Sequence, residues 1–220
     1  MSQVQTPTTD IFYPESDGKL MADNTKQFRW IVLIQQNLES LFANDPNVFV
    51  AGDLLWYPQE GDNKTCTAPD VLVVFGRPKG DRGSYKQWLE DNTPPQVVFE
   101  ILSPSNTQTE MNKKLLFYDR YGVEEYYIYD PDKNDLSGWL RQERLDVIDP
   151  ITDWVSPRLG IRFHLSAEEL QIYRPDGVLF TTLDQERQRA EQERQRAEQA
   201  EAKLAKLTAQ LRAAGIEPQG

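Results

Sequence analysis

Two carboxylates, each at the end of a strongly apolar segment, are the first residues whose placement suggests chemistry. Asp70 opens the run Val71-Leu-Val-Val-Phe75, and Glu100 lies within Gln96-Val-Val-Phe-Glu-Ile-Leu102. Both runs read as short, fully buried strands. If they pair antiparallel, the start of the first lies opposite the end of the second, and both side chains reach one edge of the sheet. Like charges 4–5 Å apart repel by roughly 3–4 kcal/mol at an effective dielectric of ~20. A fold tolerates that repulsion most readily with a cation between the two groups. Hard oxygen donors in this number suit Mg²⁺, which keeps several waters and takes one or two protein carboxylates together with a substrate phosphate. An Asp after Pro is also an ordinary turn residue, but a Glu inside an apolar strand is rare unless it is paired.

An amine lies within reach of the same edge. Alternation along the second strand puts Leu102 on the face of Glu100, so no charge is supplied from that position. A helical pattern from Thr107 to Tyr121 leaves the same strand end and carries Lys113 and Lys114. Lys114 stands three residues after Met111 and four before Tyr118, at the flank of the face that packs on the sheet. Its stem can lie along apolar surface while its ammonium reaches the carboxylates. Asp53, in the preceding strand, and Glu39, near the end of the first helix, are spare acids. The single histidine, His164, and the single cysteine, Cys66, exclude a multi-His metal site, an intrachain disulfide and a Cys-based zinc cage. Neither shows a partner in the sequence, and both are expected to be structural.

The elements that must position these groups follow from periodicity. A chain of 220 residues predicts one core plus an appendage. Its 39% apolar and 27% charged content suits a soluble globular protein. Residues 1–23 are polar and turn-rich (Thr6-Pro7, Tyr13-Pro14, Asp17-Gly18) and are expected to wrap the surface. Asp23-Asn24 offers an N-cap to a helix carrying Phe28, Ile31, Val32, Gln35, Leu38 and Phe42 at helical spacing. Val48 to Tyr57 reads as one strand bent at Gly52, and Arg77 to Pro95 as a long polar loop. The helix over 107–121 ends at Gly122 as its C′ residue, and Glu125 to Asp130 forms the next strand. Strand, helix and strand make a βαβ unit if the two strands are parallel. Residues 136–183 read as further strands and turns, with Trp139, Trp154 and Phe163 supplying core. The body, residues 1–183, is therefore α/β or α+β with a mixed sheet.

Residues 184–214 differ in kind, and 215–220 form a flexible end. Gln185-Glu-Arg-Gln-Arg-Ala-Glu191 recurs identically at 192–198. Leu183, Ala190, Ala197, Leu204 and Leu211 recur every seventh residue, with Ala200, Leu207 and Ala214 three further on. This predicts a C-terminal coiled-coil helix joining two copies as a homodimer; a single solvated helix held by charge pairs is the plainer possibility. No apolar run exceeds five residues (Trp30 to Ile34, Val71 to Phe75), against ~20 for a membrane span. The start, Met1-Ser-Gln-Val-Gln, lacks the features of a secretion signal. A cytoplasmic protein without membrane contact is expected.

Charge restricts the partners. The tail from Asp184 carries seven basic and seven acidic residues, so the net charge of −11 belongs to residues 1–183. Nucleic-acid binders ordinarily show a basic footprint. Any DNA contact must here be local, and Arg77, Lys79, Arg82 and Lys86 in one Gly-rich loop are the candidates.

Taken in order, Pro69-Asp70-Val-Leu-Val-Val, Val98-Phe-Glu100-Ile-Leu-Ser-Pro-Ser105, Glu110, Lys114 and Tyr118-(x3)-Gly122-Val-x-Glu125-Tyr-Tyr-x-x-Asp130-Pro131 resemble the Uma2 family of endonuclease relatives within the PD-(D/E)XK superfamily. The resemblance spans about residues 10–165. It implies a restriction-endonuclease-like core of a mixed sheet flanked by helices. It implies Asp70 and Glu100 as metal-binding acids, with the Ile101 carbonyl as a further donor. Many such nucleases carry lysine two residues after the acid, where Leu102 stands here, and Lys114 becomes the migrated lysine. Glu110 stands where relatives often have Asp, and Gln27 where many have His. The implied activity is hydrolysis of DNA phosphodiester bonds with Mg²⁺ or Mn²⁺, Lys114 aiding the attacking water. RNA or structured DNA is a variant of that expectation. A catalytically silent interaction module working through its coiled-coil tail is the alternative, and the acidic core favours it.

Overall fold

The computed structural model describes residues 11–18 and 21–213, with side chains as far as Gln210. The expected turn at Thr6-Pro7, the seam side chains of Leu211 and Ala214, and the end at 215–220 lie outside the described residues. The elements in chain order are α1 (Thr25–Leu41), β1 (Val48–Gly52), β2 (Trp56–Tyr57), β3 (Val71–Phe75), β4 (Tyr85–Lys86), β5 (Val97–Ile101) and α2 (Gln108–Arg120). There follow β6 (Glu125–Asp130), β7 (Asp135–Arg141), β8 (Leu145–Val147), β9 (Arg162–Leu165), β10 (Leu170–Tyr173) and α3 (Leu183–Ala213).

Six strands form one mixed sheet in the order β1-β3-β5-β6-β7-β8. β3 runs antiparallel to both β1 and β5, with Val71 opposite Phe99. β5 and β6 are parallel, from Val97↔Glu125 to Ile101↔Tyr129, so β5-α2-β6 is the βαβ unit that the sequence pattern implies. Period-two alternation divides the side chains between two cores. Val71, Val73, Val97, Phe99 and Ile101 pack with Trp30, Ile31, Ile34 and Leu38 of α1 and with Phe163 and Ile172 of the β9–β10 hairpin. Leu72, Val74 and Val98 pack on the other face with Trp56, Tyr85, Tyr118 and Tyr126. The helices form as their caps and stripes require. The Asn24 side chain accepts from the N–H groups of Lys26 and Gln27, and the buried residues of α1 recur at three- and four-residue steps. Thr107 caps α2 by accepting from the Glu110 N–H, and Gly122, at φ +90°, takes the left-handed turn after it.

Two segments differ from expectation. Val48–Tyr57 is not one bent strand: Asp53 adopts φ +48° directly after β1. The chain therefore leaves the large sheet, and β2 pairs in parallel with β4 instead. The segment 77–95 is not featureless: it folds back along β2, the Tyr85 N–H donating to the Leu55 carbonyl at 2.7 Å, and forms a 3₁₀ turn at Gln87–Leu89. Two residues of strand are too few to produce visible alternation in sequence.

The described residues divide into two compact units, one reaching Phe180 and one starting at Thr181. The second is built on α3, where Arg194 pairs with Glu191 and Glu198, and Leu204 and Leu207 stand exposed. Among the described residues no helix is long and apolar enough to cross a membrane.

Candidate active site

The register of β3 on β5 sets the site. Asp70 is the residue before β3, and Val71↔Phe99 puts it level with Glu100. Because β3 begins only at Val71, the Ile101 N–H lies beyond the ladder; the Asp70 carboxylate accepts it instead, Oδ2 to N at 2.6 Å. The same N–H fixes the Asp70 side chain, leaving its other oxygen available. By parity Asp70, Leu72 and Val74 share a face, as do Val98 and Glu100, and that face is the one packed by α2. The two acids therefore cap an apolar stripe at the sheet's rim. The Asp53 N–H donates to the Asp70 carbonyl at 3.3 Å, holding the first residue after β1 at the same rim.

Glu100 is only 2% exposed. One oxygen, Oε2, accepts from Lys114 Nζ at 2.7 Å. The other, Oε1, accepts from the Tyr118 hydroxyl. Tyr118 is wholly buried, its ring parallel to Trp56 at 6.3 Å and edge-on to Tyr126 at 4.9 Å. Glu110, Lys114 and Tyr118 are four residues apart along α2 and so share one line of its surface. Periodicity assigns Tyr118 to packing, and no sequence signal marks its hydroxyl as a partner of Glu100.

The rim opens into a cleft of about 760 Å³ lined by Asp17, Asp23, Gln27, Asp53, Asp70, Asn106, Glu110 and Lys114 among others. Its electrostatics are unbalanced toward negative charge. Burial, then the neighbouring Glu100, holds the Asp70 carboxyl well above the ordinary range, against the pull of Lys114 and the Ile101 N–H. Burial, Asp17 and Glu100 likewise raise Asp53. Burial would push the Lys114 ammonium down, but attraction to Glu100 and Asp70 outweighs it and the ammonium stays above its usual value. One half-buried lysine thus serves several carboxylates.

The donor set fits a hard divalent cation. Asp70 and Glu100 supply oxygen ligands, and the raised Asp70 marks negative charge that the protein leaves incompletely neutralised. Among the described residues no three His, Cys, Asp or Glu side chains are grouped to hold a metal ion. An ion bound here would keep several waters, which is the habit of Mg²⁺. The Ile101 carbonyl already accepts from Gln27 Nε2 at 2.8 Å, and the Gln27 Oε1 accepts from the Asp23 N–H at 2.8 Å. Gln27 therefore braces the backbone next to Glu100.

Other candidates lie elsewhere. Glu39 pairs with Lys79 at 2.9 Å and is not among the residues lining the cleft. His164 has a partner that the sequence did not disclose, Asp153 at 3.0 Å. Cys66 lines the cleft beside Tyr57, whose hydroxyl burial and Cys66 push up to about 12. Arg77 pairs with Glu90 at 3.0 Å and with Asp91, and Arg82 pairs with Glu90 at 2.7 Å and lies 3.9 Å over the Phe49 ring. Lys86 sits 5.5 Å from the Tyr13 ring.

Residues 5–168 match the family model of Uma2, described as "Putative restriction endonuclease". Among solved structures, a protein of Anabaena variabilis ATCC 29413, titled a "putative nuclease belonging to DUF820", is 20% identical with a TM-score of 0.46. That likeness covers 61% of this chain and 72% of that one. No curated protein matches the chain.

A raised carboxyl destabilises the fold wherever it must be ionised. The cost begins as pH rises through the unfolded-state value near 3.9 and grows until the folded-state value is passed. Asp70→Asn, whose side-chain oxygen can still accept the Ile101 N–H, is expected to raise the melting temperature of metal-free protein at pH 7.5 by a few degrees, about 1 kcal/mol. Thermal melts in chelator should show that gain disappear below about pH 4, where Asp70 is protonated in both states. An unchanged or lower melting temperature at pH 7.5 would contradict the electrostatic account.

Proposed function

Since this chain belongs to the Uma2 family, we propose that its rim hydrolyses DNA phosphodiester bonds with the aid of Mg²⁺ or Mn²⁺. The observation that carries this reading is the meeting of Asp70, Glu100 and Lys114 at one rim: Asp70 and Lys114 line the cleft, and Lys114 Nζ lies 2.7 Å from the buried Glu100. A carboxyl raised by burial and by a neighbouring carboxylate, at the edge of a cleft, is an arrangement active sites use.

Asp70 and Glu100 are the ligands, and the Ile101 carbonyl, braced by Gln27, is a third donor. A divalent ion bound there supplies Lewis acidity at a phosphoryl oxygen and lowers the pKa of bound water. The protein's own groups do the rest. The Asp70 carboxylate is held by the Ile101 N–H and the Glu100 carboxylate by Tyr118, so neither has to reorganise when substrate arrives. Lys114 orients the attacking water and stabilises the charge that develops on the phosphate. Contact of DNA with the acidic core would have to come from the segment 77–95, which folds back along β2; none of its cations Arg77, Lys79, Arg82 and Lys86 lines the cleft itself. Lys86 and Arg82, with Gly83 passing directly against the Glu15 side chain, flank the residues that lead to Asp17 in the cleft. Arg77 and Lys79, in ion pairs with Glu90 and Glu39, would contribute only after exchanging carboxylate for phosphate. Those ion pairs also favour the alternative of a silent interaction module, and a cleavage assay separates the two.

Supercoiled plasmid incubated with full-length protein should be nicked in Mg²⁺ or Mn²⁺ and not in chelator. Asp70→Ala, Glu100→Ala and Lys114→Ala should each lower the rate by about 10²-fold or more with folding intact by circular dichroism. Cleavage without metal, or variants as active as the parent, would refute the assignment.

We read α3 as a contact with a second copy. Ala197, Ala200, Leu204 and Leu207 form the apolar seam in its second half, and in a parallel pair Arg196 would face Glu201 of the other helix. Small alanines bury little area, so the dimer should be weak. Leu204→Lys with Leu207→Lys should convert dimer to monomer in sedimentation equilibrium. The same mass for parent and variant would count against this contact.

A further inference from the structure

Glu100 presents a conflict that the nuclease reading leaves open. Both oxygens of Glu100 already accept, Oε2 from the Lys114 ammonium and Oε1 from the Tyr118 hydroxyl. Each carboxylate oxygen keeps a second lone pair, so a hydrogen bond alone does not bar a metal ion, but two cations on one oxygen repel, and that conflict lies at Oε2. The Tyr118 hydroxyl lies in a wholly buried layer, with its ring against Trp56, Phe117 and Tyr126. Releasing it would take from a buried hydroxyl its carboxylate acceptor, leaving the Thr67 side chain as its partner, and would relieve no repulsion because the phenol carries no charge. Lys114 is placed differently. Its side chain is 20% exposed and lines the cleft, on a flexible four-carbon stem. One turn earlier, Glu110 lines the same cleft and adds to the attraction on the ammonium.

We infer that Lys114 is the rim's own counter-ion: an entering divalent cation exchanges for its ammonium at Glu100 Oε2, while Tyr118 holds Oε1 throughout as a positioning residue. This rests on the nuclease reading of the same rim and adds to it how the ion gets in. The exchange replaces one cation by another, so Glu100, buried and charged, is at no stage left unpaired. The displaced ammonium moves toward Glu110 and the cleft, where a phosphate would arrive, so ion binding delivers the lysine to the place where the chemistry needs it. The lysine is thereby also a competitor, and part of the rim's attraction for a divalent ion goes into displacing it.

Calorimetric titration of full-length protein with MnCl₂ tests the exchange. Lys114→Met, which removes the competitor, should bind Mn²⁺ about tenfold tighter or more. Lys113→Met, one residue away and exposed, should change affinity by no more than about twofold. Lys114→Arg retains a cation on Glu100 and should bind no tighter than the parent, which keeps the test informative should the Met variant fold poorly. Tyr118→Phe should bind several-fold more weakly, because Glu100 loses its fixed orientation. Equal or weaker binding by Lys114→Met, tighter binding by Lys114→Arg, or an equal gain in Lys113→Met would overturn the exchange. The nuclease reading falls separately: a parent protein that never nicks DNA but shows this order of affinities would keep the exchange and lose the enzyme.

Discussion

A carboxylate buried on the face of a sheet cannot be ionised without donors, and Glu100 has two, an ammonium and a phenol, both from α2. The surrounding architecture serves that arrangement. β5 must end where it does to place Glu100 at the rim, and β3 must start one residue after Asp70 so that a side chain, not a carbonyl, receives the Ile101 N–H. α2 must leave the same strand end with a four-residue repeat of Glu110, Lys114 and Tyr118 facing the sheet. The parallel pairing of β5 with β6 requires the crossover that supplies α2. The local features agree with the global fold except at the rim itself, where negative charge accumulates beyond what the protein neutralises. Such local disagreement is where function is expected to lie.

The cleft's chemistry follows from that excess. Asp70 and Asp53 are raised by burial and by one another's neighbours, and Lys114 alone cannot satisfy them. A divalent ion would. On the proposed reading, a divalent ion and Lys114 would offset part of the negative charge of the rim, within a body that carries the entire net charge of −11, and attraction to a phosphate-bearing substrate would come from few groups.

Much of the site could be read from the chain. Two buried strands in sequence, with acids at opposite ends, admit one simple pairing that unites them, and alternation fixes the face. Lys114 was legible because helix geometry gives it the flank next to Met111 and Tyr118. Tyr118 was not, since an aromatic at a packing position looks the same whether or not its hydroxyl has an acceptor. Glu39 looked like a spare acid, but twelve residues of helix separate it from Gln27, about 18 Å at 1.5 Å per residue. It therefore belongs to the far end of α1, with Lys79. The break at Asp53 was hidden because β-branched and aromatic residues continue on both sides of it; only the Gly52-Asp53 pair hinted at a left-handed residue. His164 and Asp153 are joined by β9 folding back, which no local pattern records.

The most direct measurement is anomalous diffraction from crystals soaked in Mn²⁺. One peak within coordination distance of both Asp70 and Glu100, absent in Asp70→Asn crystals, is the result this account predicts. Well-ordered crystals with manganese bound only elsewhere, and Lys114 still seated on Glu100, would contradict it.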